Sequence, residues 1–418
     1  MARAKSAAAA KSSPPARSTS SRNQVPASAG PEPDLQRALR LVLEMMPIPG
    51  RSGDEQAIAS YVVQQLTRAG ISQDVIQFDD AHRQSRLPGN CGNLIVQLPG
   101  TFKAPRRLLT AHLDTVPICV GCEPKRTGLE VRSSNPRTGL GADNRAGAAV
   151  LLNTLLEIQQ RKLPHPPLTF CWFVQEEVGL NGARHVKKSL LGKPQLAFNW
   201  DGGSATKLTV GATGGYRMDI EVRGLASHAG GAPERGVSAI AIAGLAIADI
   251  QRGGWHGDVR QGKQRGTSNV GVIQGGEATN VVTDLVRLRA EARSHNPKFR
   301  QKIIQAIERA FTAAAKEVRS VTGATGSVSI AGRLDYEAFQ LADREPCVLE
   351  AERVIRELQG EPLRAISNGG LDANWLTAHG IPSVTMGCGQ VSPHTVAEAL
   401  AIPEFEMACR IALRLATS

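Results

Sequence analysis

Apolar positions recur first at helical spacing in Leu35, Leu39, Val42, Leu43 and Met46, and the Pro47-Ile-Pro49-Gly50 segment ends that helix. A second helix over 54–69 turns Ile58, Tyr61, Val62 and Leu66 to one side. Short, continuously apolar runs then alternate with helical stretches: 93–97 and 108–111 read as strands, 147–159 as a helix and 168–174 as a strand. Strands that are apolar on both faces belong in a largely parallel sheet covered by helices on both sides.

The texture changes after Gly211. The pattern predicts a strand over 214–222, a helix over 238–250, strands over 268–273 and 281–293, a long helix over 297–317 and a strand over 328–335. The order β-α-β-β-α-β is that of a small two-layer α+β, ferredoxin-like domain. The first texture resumes with a helix over 346–358, a strand over 382–386 and a helix over 403–415. The expected plan is therefore a tail over 1–33, an α/β domain split between 34–212 and 338–418, and an inserted domain over 213–337.

Composition narrows the setting. A chain of 418 residues with 41% hydrophobic and 21% charged residues can bury a sizeable core. No apolar run is long enough to cross a membrane. The net charge of +11 is concentrated partly in the first residues (Arg3, Lys5, Lys11, Arg17 and Arg22) and is otherwise scattered, without the interleaved aromatics of a nucleic-acid surface. Residues 1–33, rich in Ala, Ser, Pro and Lys, read as a disordered tail, with an organelle transit peptide as the alternative. Seven irregularly spaced cysteines argue for a reducing compartment, the cytoplasm, and Cys119-Val-Gly-Cys122 lacks the following helix of a redox motif.

Five segments place acids and imidazoles where loops leave strand ends, the common position of sites in open α/β sheets. In Thr110-Ala-His112-Leu-Asp114, alternation puts His112 and Asp114 on one side, where a carboxylate can hold a histidine ring. Asp143 stands before a helix among Gly139, Gly141 and Gly147; as an isolated feature it would be an ordinary helix cap. Glu176 and Glu177 close an apolar strand, and on an extended backbone they face opposite ways and can take different roles. Asp201 ends another apolar strand, and His394 lies in the Ser392-Pro-His394-Thr loop. Singly, each is more often a solvated loop residue or a structural histidine. Together they form an oxygen and nitrogen donor set without thiolate, suited to hydrolytic zinc, with cobalt or manganese as alternatives.

These five motifs, in this order and across nearly the whole chain after the tail, resemble the co-catalytic metallopeptidase family that includes peptidase T, carboxypeptidase G and aminoacylase, and peptidase T in particular. The resemblance implies a mixed sheet sandwiched by helices, two zinc ions per subunit and a lid that also joins two subunits. It implies that Asp143 bridges the metals, with His112 and Asp201 completing one site and Glu177 and His394 the other. Asp114 would orient His112, and Glu176 would be the general base acting on water between the metals. His228, in Gly224-Leu-Ala-Ser-His228-Ala-Gly230, matches a lid motif whose histidine stabilises an oxyanion, often from the partner subunit. Asn280 and Arg293 match contacts to a substrate carboxylate, and Asn368, Gly369 and Gly370 a loop lining the pocket. Two departures stand out. Arg145 replaces a lysine of peptidase T, and Asn368 replaces an arginine, which removes an anion contact and weakens the case for tripeptide specificity. The expected function is a cytoplasmic exopeptidase on short peptides. A deacylase of N-acyl or N-carbamoyl amino acids is the alternative, and a binding protein that has lost its metals a third reading.

Overall fold

The computed structural model describes residues 30–418; the tail expectation, up to residue 29, lies outside the described residues. From Glu32 onward the chain is tied to the body, since the Glu32 carboxylate accepts from Arg410 Nε at 3.0 Å. Asp34 then caps the helix Leu35–Met45 by accepting the Arg37 N–H at 2.8 Å.

The largest of three buried apolar clusters covers one face of a nine-stranded mixed sheet, and a small one that includes Ile95, Leu108, Cys171 and Phe173 covers the other. Its centre is parallel: Leu168–Phe173, Arg107–His112, Leu196–Trp200 and Ser383–Met386 lie side by side. Outward, Leu94–Leu98 runs antiparallel to Leu168–Phe173, and Lys207–Ala212 antiparallel to Ser383–Met386. The largely parallel sheet expected from the apolar runs thus holds only at the centre. The reason is connection length: a parallel neighbour needs a crossover of a dozen or more residues. The Ala142–Arg161 helix supplies one between Arg107–His112 and Leu168–Phe173, whereas the short 99–106 link cannot. That helix is buried at every residue from Ala142 to Ile158, between the sheet and the helices Leu35–Met45 and Ile402–Thr417. All-round burial explains why it lacks an apolar stripe. Trp172, fully buried, anchors it through an Nε1–H bond to the Ala148 carbonyl at 3.1 Å.

The second core, formed by Met218, Ile220, Val222, Phe299, Ile303 and Phe311 among others, lies between a five-stranded antiparallel sheet and the helices Ala239–Arg252 and Pro297–Glu317. Leu285–Ser294 shows the logic: Val286, Leu288, Ala290 and Ala292 are buried, while Arg287 and Arg289 face solvent. The run expected as one strand over 281–293 divides, and Val281–Val282 pairs instead with Ser227–His228. Gly257–Gln261, too polar to register as a strand, adds an edge hairpin. A further small sheet joins Gln390–Val391, Ala399–Ala401, Glu130–Ser133 and Pro124–Thr127, and draws the His394 loop toward the segment preceding Asp143. Among the described residues no helix is long and apolar enough to cross a membrane.

Candidate metal centre

Three adjacent parallel strands deliver their C-terminal ends to one place. His112 is the last residue of Arg107–His112, Glu176 and Glu177 follow Leu168–Phe173, and Asp201 follows Leu196–Trp200. Asp143 comes from the start of the long helix and His394 from the loop between Gln390–Val391 and Ala399–Ala401.

Asp143 lies at the middle of the cluster. Its Oδ1 is 3.2 Å from His112 Nε2 and its Oδ2 is 3.3 Å from His394 Nε2. His112 Nε2 also lies 4.0 Å from Asp201 Oδ2, and His394 Nε2 lies 2.9 Å from Glu177 Oε1. Two triads share Asp143, His112–Asp143–Asp201 and Asp143–Glu177–His394, in each of which three donor atoms lie within 4.8 Å of one another, and a third group, His112–Glu176–Glu177, meets the same limit. In it Glu176 Oε2 lies 4.0 Å from His112 Nε2. All five expected metal-binding residues, with Asp114 and Glu176, therefore converge.

Asp114 is fully buried behind His112, with Oδ1 at 3.3 Å from the ring Nδ1. Its other partners are the Glu176 N–H at 3.0 Å, the Glu177 N–H at 3.2 Å and the Ser52 hydroxyl at 2.6 Å. With the Asp114 carbonyl also 3.1 Å from His112 Nδ1, one residue thus fixes the imidazole and the backbone of the glutamate pair at once. The pair is not placed by strand alternation, as the sequence suggested. Gln175 is left-handed (φ 54°), and the chain turns there, with the Leu180 N–H bonded to the Glu176 carbonyl at 2.8 Å. Buried Glu55 holds this turn by accepting the Gln175 N–H at 3.0 Å. His394 is also left-handed (φ 64°); such strain concentrates at functional sites.

The electrostatics are those of a site short of positive charge. Burial, followed by the Glu177, Asp372 and Asp201 carboxylates, pushes the Glu176 carboxyl well above its ordinary range. Burial and Asp143 push Asp201 up to about 7. Burial raises Glu177 despite its bond to His394. Burial also opposes ionisation of Asp143, but its contacts to both histidines outweigh it and hold the carboxyl low. Hydrogen bonds to Asp143 and Glu177 raise His394 to about 10. A cluster of acids this crowded, with nitrogen and oxygen donors and no thiolate, fits a pair of divalent cations.

Other expected residues lie elsewhere. Among the described residues no hydrogen bond or ion pair joins His228, Asn280, Arg293, Asn368, Gly369 or Gly370 to the cluster. His228 accepts the Gly230 and Gly231 N–H groups at Nδ1, and the Asn280 carbonyl accepts the Ala229 N–H beside it. Arg293 is held by both oxygens of Glu291, at 3.0 and 2.9 Å. Asn368 Oδ1 meets His295 Nε2 at 3.1 Å, and Gly370 leaves room for the Tyr336 ring, which an added Cβ would meet at 2.5 Å. The Gly369 N–H bonds the Ser367 hydroxyl. Arg145 is fully buried and donates to the Leu113 and Ile48 carbonyls, beside the loop carrying Asp114. Cys119 and Cys122 are buried free thiols, with burial pushing Cys122 up to about 11.

The sequence reading missed Ser52, Glu55, Gln390 and Glu398. Gln390 Nε2 reaches Asp143 Oδ1 at 3.3 Å and Asp201 Oδ1 at 3.1 Å. None of the four lies in an apolar strand-end pattern. The one available signal was the short step from His394 to Glu398.

Comparison with known proteins agrees with this geometry. Residues 93–230 match the model of peptidase family M28, and residues 210–319 match the peptidase dimerisation domain of the M20 class. An uncharacterised protein of Bacillus subtilis (strain 168), YqjE, is 30% identical over 371 residues, 88% of this chain and 94% of its own length. Acetylornithine deacetylase of Myxococcus xanthus is 28% identical over 349 residues, 80% of this chain and 84% of its own. A tripeptidase from Staphylococcus aureus subsp. aureus Mu50 superposes with a TM-score of 0.82 at 29% identity, covering 93% of this chain and 99% of that one. Aminopeptidase PepT from Bacillus cereus ATCC 10987 gives 0.78 at 28% identity, with 92% and 98% covered. With the dimerisation-domain match set within the α/β body and a 30% identical relative spanning 88% of the whole chain, the protein belongs to the M20 family of metallopeptidases, as a peptidase T-like hydrolase.

Proposed function

We propose that the protein is an exopeptidase that releases the terminal amino acid from short peptides, tripeptides among them, with two divalent ions, zinc first and cobalt or manganese as substitutes. The observation that carries this reading is the central position of Asp143, whose two oxygens face two histidines that each have a further carboxylate. His112, Asp143 and Asp201 would hold one ion, and Asp143, Glu177 and His394 the other. Bound ions supply Lewis acidity toward the scissile carbonyl and make water a better acid. Asp114 keeps the His112 ring oriented and its Nε2 turned toward the cluster. Glu176, whose basicity is raised by burial, takes the proton of the attacking water and passes it to the departing amine.

His228 pairs with Val281 in a short ladder, and the Asn280 carbonyl accepts the Ala229 N–H just beyond it, so we take the two to act together and assign the oxyanion contact to His228 of the partner subunit. Dimerisation through the lid is supported by its outer strand: Gly257–Gln261 pairs only with the 264–268 part of Gln264–Gly275, leaving 269–275 an open edge with Ile273 exposed. Arg293 would meet the substrate carboxylate in exchange for Glu291, with Asn368, Gly369 and Gly370 lining the pocket. The seven unpaired, buried cysteines suit the cytoplasm.

The test strips the protein with a chelator, restores zinc, cobalt or manganese, and follows free amino acids from alanine di- and tripeptides beside N-acetyl amino acids. Metal-dependent cleavage of the peptides, with the tripeptide preferred, is expected. Faster release from the N-acetyl compounds would replace this reading with the deacylase one, which the Myxococcus xanthus relative favours. No cleavage of either would overturn both.

A further inference from the structure

Glu398 is a buried acid that the proposed reaction leaves unused. It is 1% exposed and has no ion-pair partner among the described residues. Backbone groups surround its carboxylate instead. Oε2 accepts the Leu140 and Gly141 N–H groups, each at 2.8 Å, and the Cys119 thiol at 3.3 Å, while Oε1 accepts the N–H of Asp143 itself at 3.0 Å. A carboxylate without a cation is costly to bury, and charge-assisted bonds from three convergent N–H groups are what make this one tolerable. The donors belong to one loop, 140–143, which turns through left-handed Gly141 (φ 77°) to present Asp143. The acceptor lies on the same loop as His394, which faces Asp143 Oδ2 at 3.3 Å. Two chain segments, each bearing a residue of the metal cluster, are therefore joined through a single side chain.

We infer that Glu398 is a positioning residue for the metal pair, locking the Asp143 loop to the His394 loop so that the two oxygens of Asp143 face one histidine each. The inference rests on the two-metal reading above. It carries a signature that a general loss of stability lacks. Asp143 serves both triads, so loosening it weakens both metals together, whereas loosening the His394 loop alone weakens one. Glu398→Gln is the direct perturbation, because whichever way the amide is turned, its NH2 meets at least one backbone N–H in place of an acceptor. Gly139→Ala perturbs the same contact without removing the carboxylate: a Cβ there would lie 2.9 Å from Glu398 Oε2 and 3.0 Å from the Thr395 carbonyl.

The experiment titrates the chelator-stripped full chain with zinc against a chromophoric chelator, for wild type, Glu398→Gln and Gly139→Ala, with thermal unfolding of each metal-free protein measured alongside. Loss of a partner that orients metal ligands costs about 10- to 100-fold in affinity. Wild type is expected to bind two ions, and both variants to bind both ions 10- to 100-fold more weakly while the metal-free proteins still unfold cooperatively. If Glu398→Gln does not fold, Gly139→Ala decides by the same criterion. Wild-type affinity within threefold for both ions, or weakening of one ion alone, would overturn the inference and leave the two-metal reading standing. A wild type that binds no pair of ions would overturn that reading and this inference with it.

Discussion

Replacing Asp114 by asparagine tests how the site is held together, because it changes the four contacts of the carboxylate and leaves the carbonyl, 3.1 Å from His112 Nδ1, in place. Oδ1 faces His112 Nδ1 at 3.3 Å and the Glu176 N–H at 3.0 Å, and Oδ2 faces the Ser52 hydroxyl at 2.6 Å and the Glu177 N–H at 3.2 Å. An asparagine must set its NH2 against one of those backbone N–H groups in either orientation. One buried donor is then orphaned, at about 1–3 kcal/mol. The surviving bonds lose their charge assistance as well, about 1 kcal/mol each when a charged acceptor is exchanged for a neutral one. With two contacts left on the remaining oxygen in either orientation, the expected loss of metal-free stability is therefore roughly 3–5 kcal/mol. The His112 ring also loses its negative partner, which should weaken zinc at the His112 triad by about 10- to 100-fold. Urea unfolding of the chelator-stripped variant reads the first effect and zinc titration the second. An unchanged urea midpoint together with wild-type zinc affinity would show that Asp114 neither holds the glutamate pair nor orients His112.

Three further outcomes follow from the same geometry. Glu176→Gln should keep both metals and lower kcat by about 10²–10⁴-fold, the usual worth of a general base; activity near wild type in a peptide assay would remove Glu176 from that role. His228→Ala should lower kcat by roughly 10²–10³-fold with the metals retained, and mixing it with Glu176→Gln should restore activity, since a hybrid dimer contains one complete site; no recovery on subunit exchange would place the histidine in its own subunit's site. Glu55 gives a pH signature in the metal-free protein: burial and the Asp114 charge push its carboxyl from 4.5 to about 8. The folded state then holds a proton that the unfolded chain has released, so this contribution is complete below pH 4.5 and is lost as pH rises toward 8, by at most about 5 kcal/mol (3.5 pH units at 1.36 kcal/mol each). Glu55→Gln should therefore unfold at urea midpoints that fall less than those of wild type between pH 5 and 8, and parallel profiles would contradict the assignment.

The residues of the candidate metal cluster were legible as a set: His112, Glu176, Glu177 and Asp201 close apolar strands and Asp143 flanks a glycine-rich helix start, while His394 stood only in a loop. Singly each pattern is ordinary, and their order along the chain joined them; the change of texture after Gly211 marked the inserted domain. Local pattern did not carry the connections. Whether Leu94–Leu98 runs parallel or antiparallel depends on how much chain is available to cross the sheet, and Gly257–Gln261 is a strand only because a neighbour completes its hydrogen bonds. The side chains that hold the site are polar residues, Ser52, Glu55 and Glu398 outside helices and strands and Gln390 in a two-residue strand, and differ in no local respect from solvated ones. Their role exists only after folding removes water from around them, leaving each backbone N–H to find a protein acceptor. Sequence alone determined which groups could bind metal; the tertiary structure decided which groups aim them, because that depends on contacts between segments as far apart as Asp143 and Glu398.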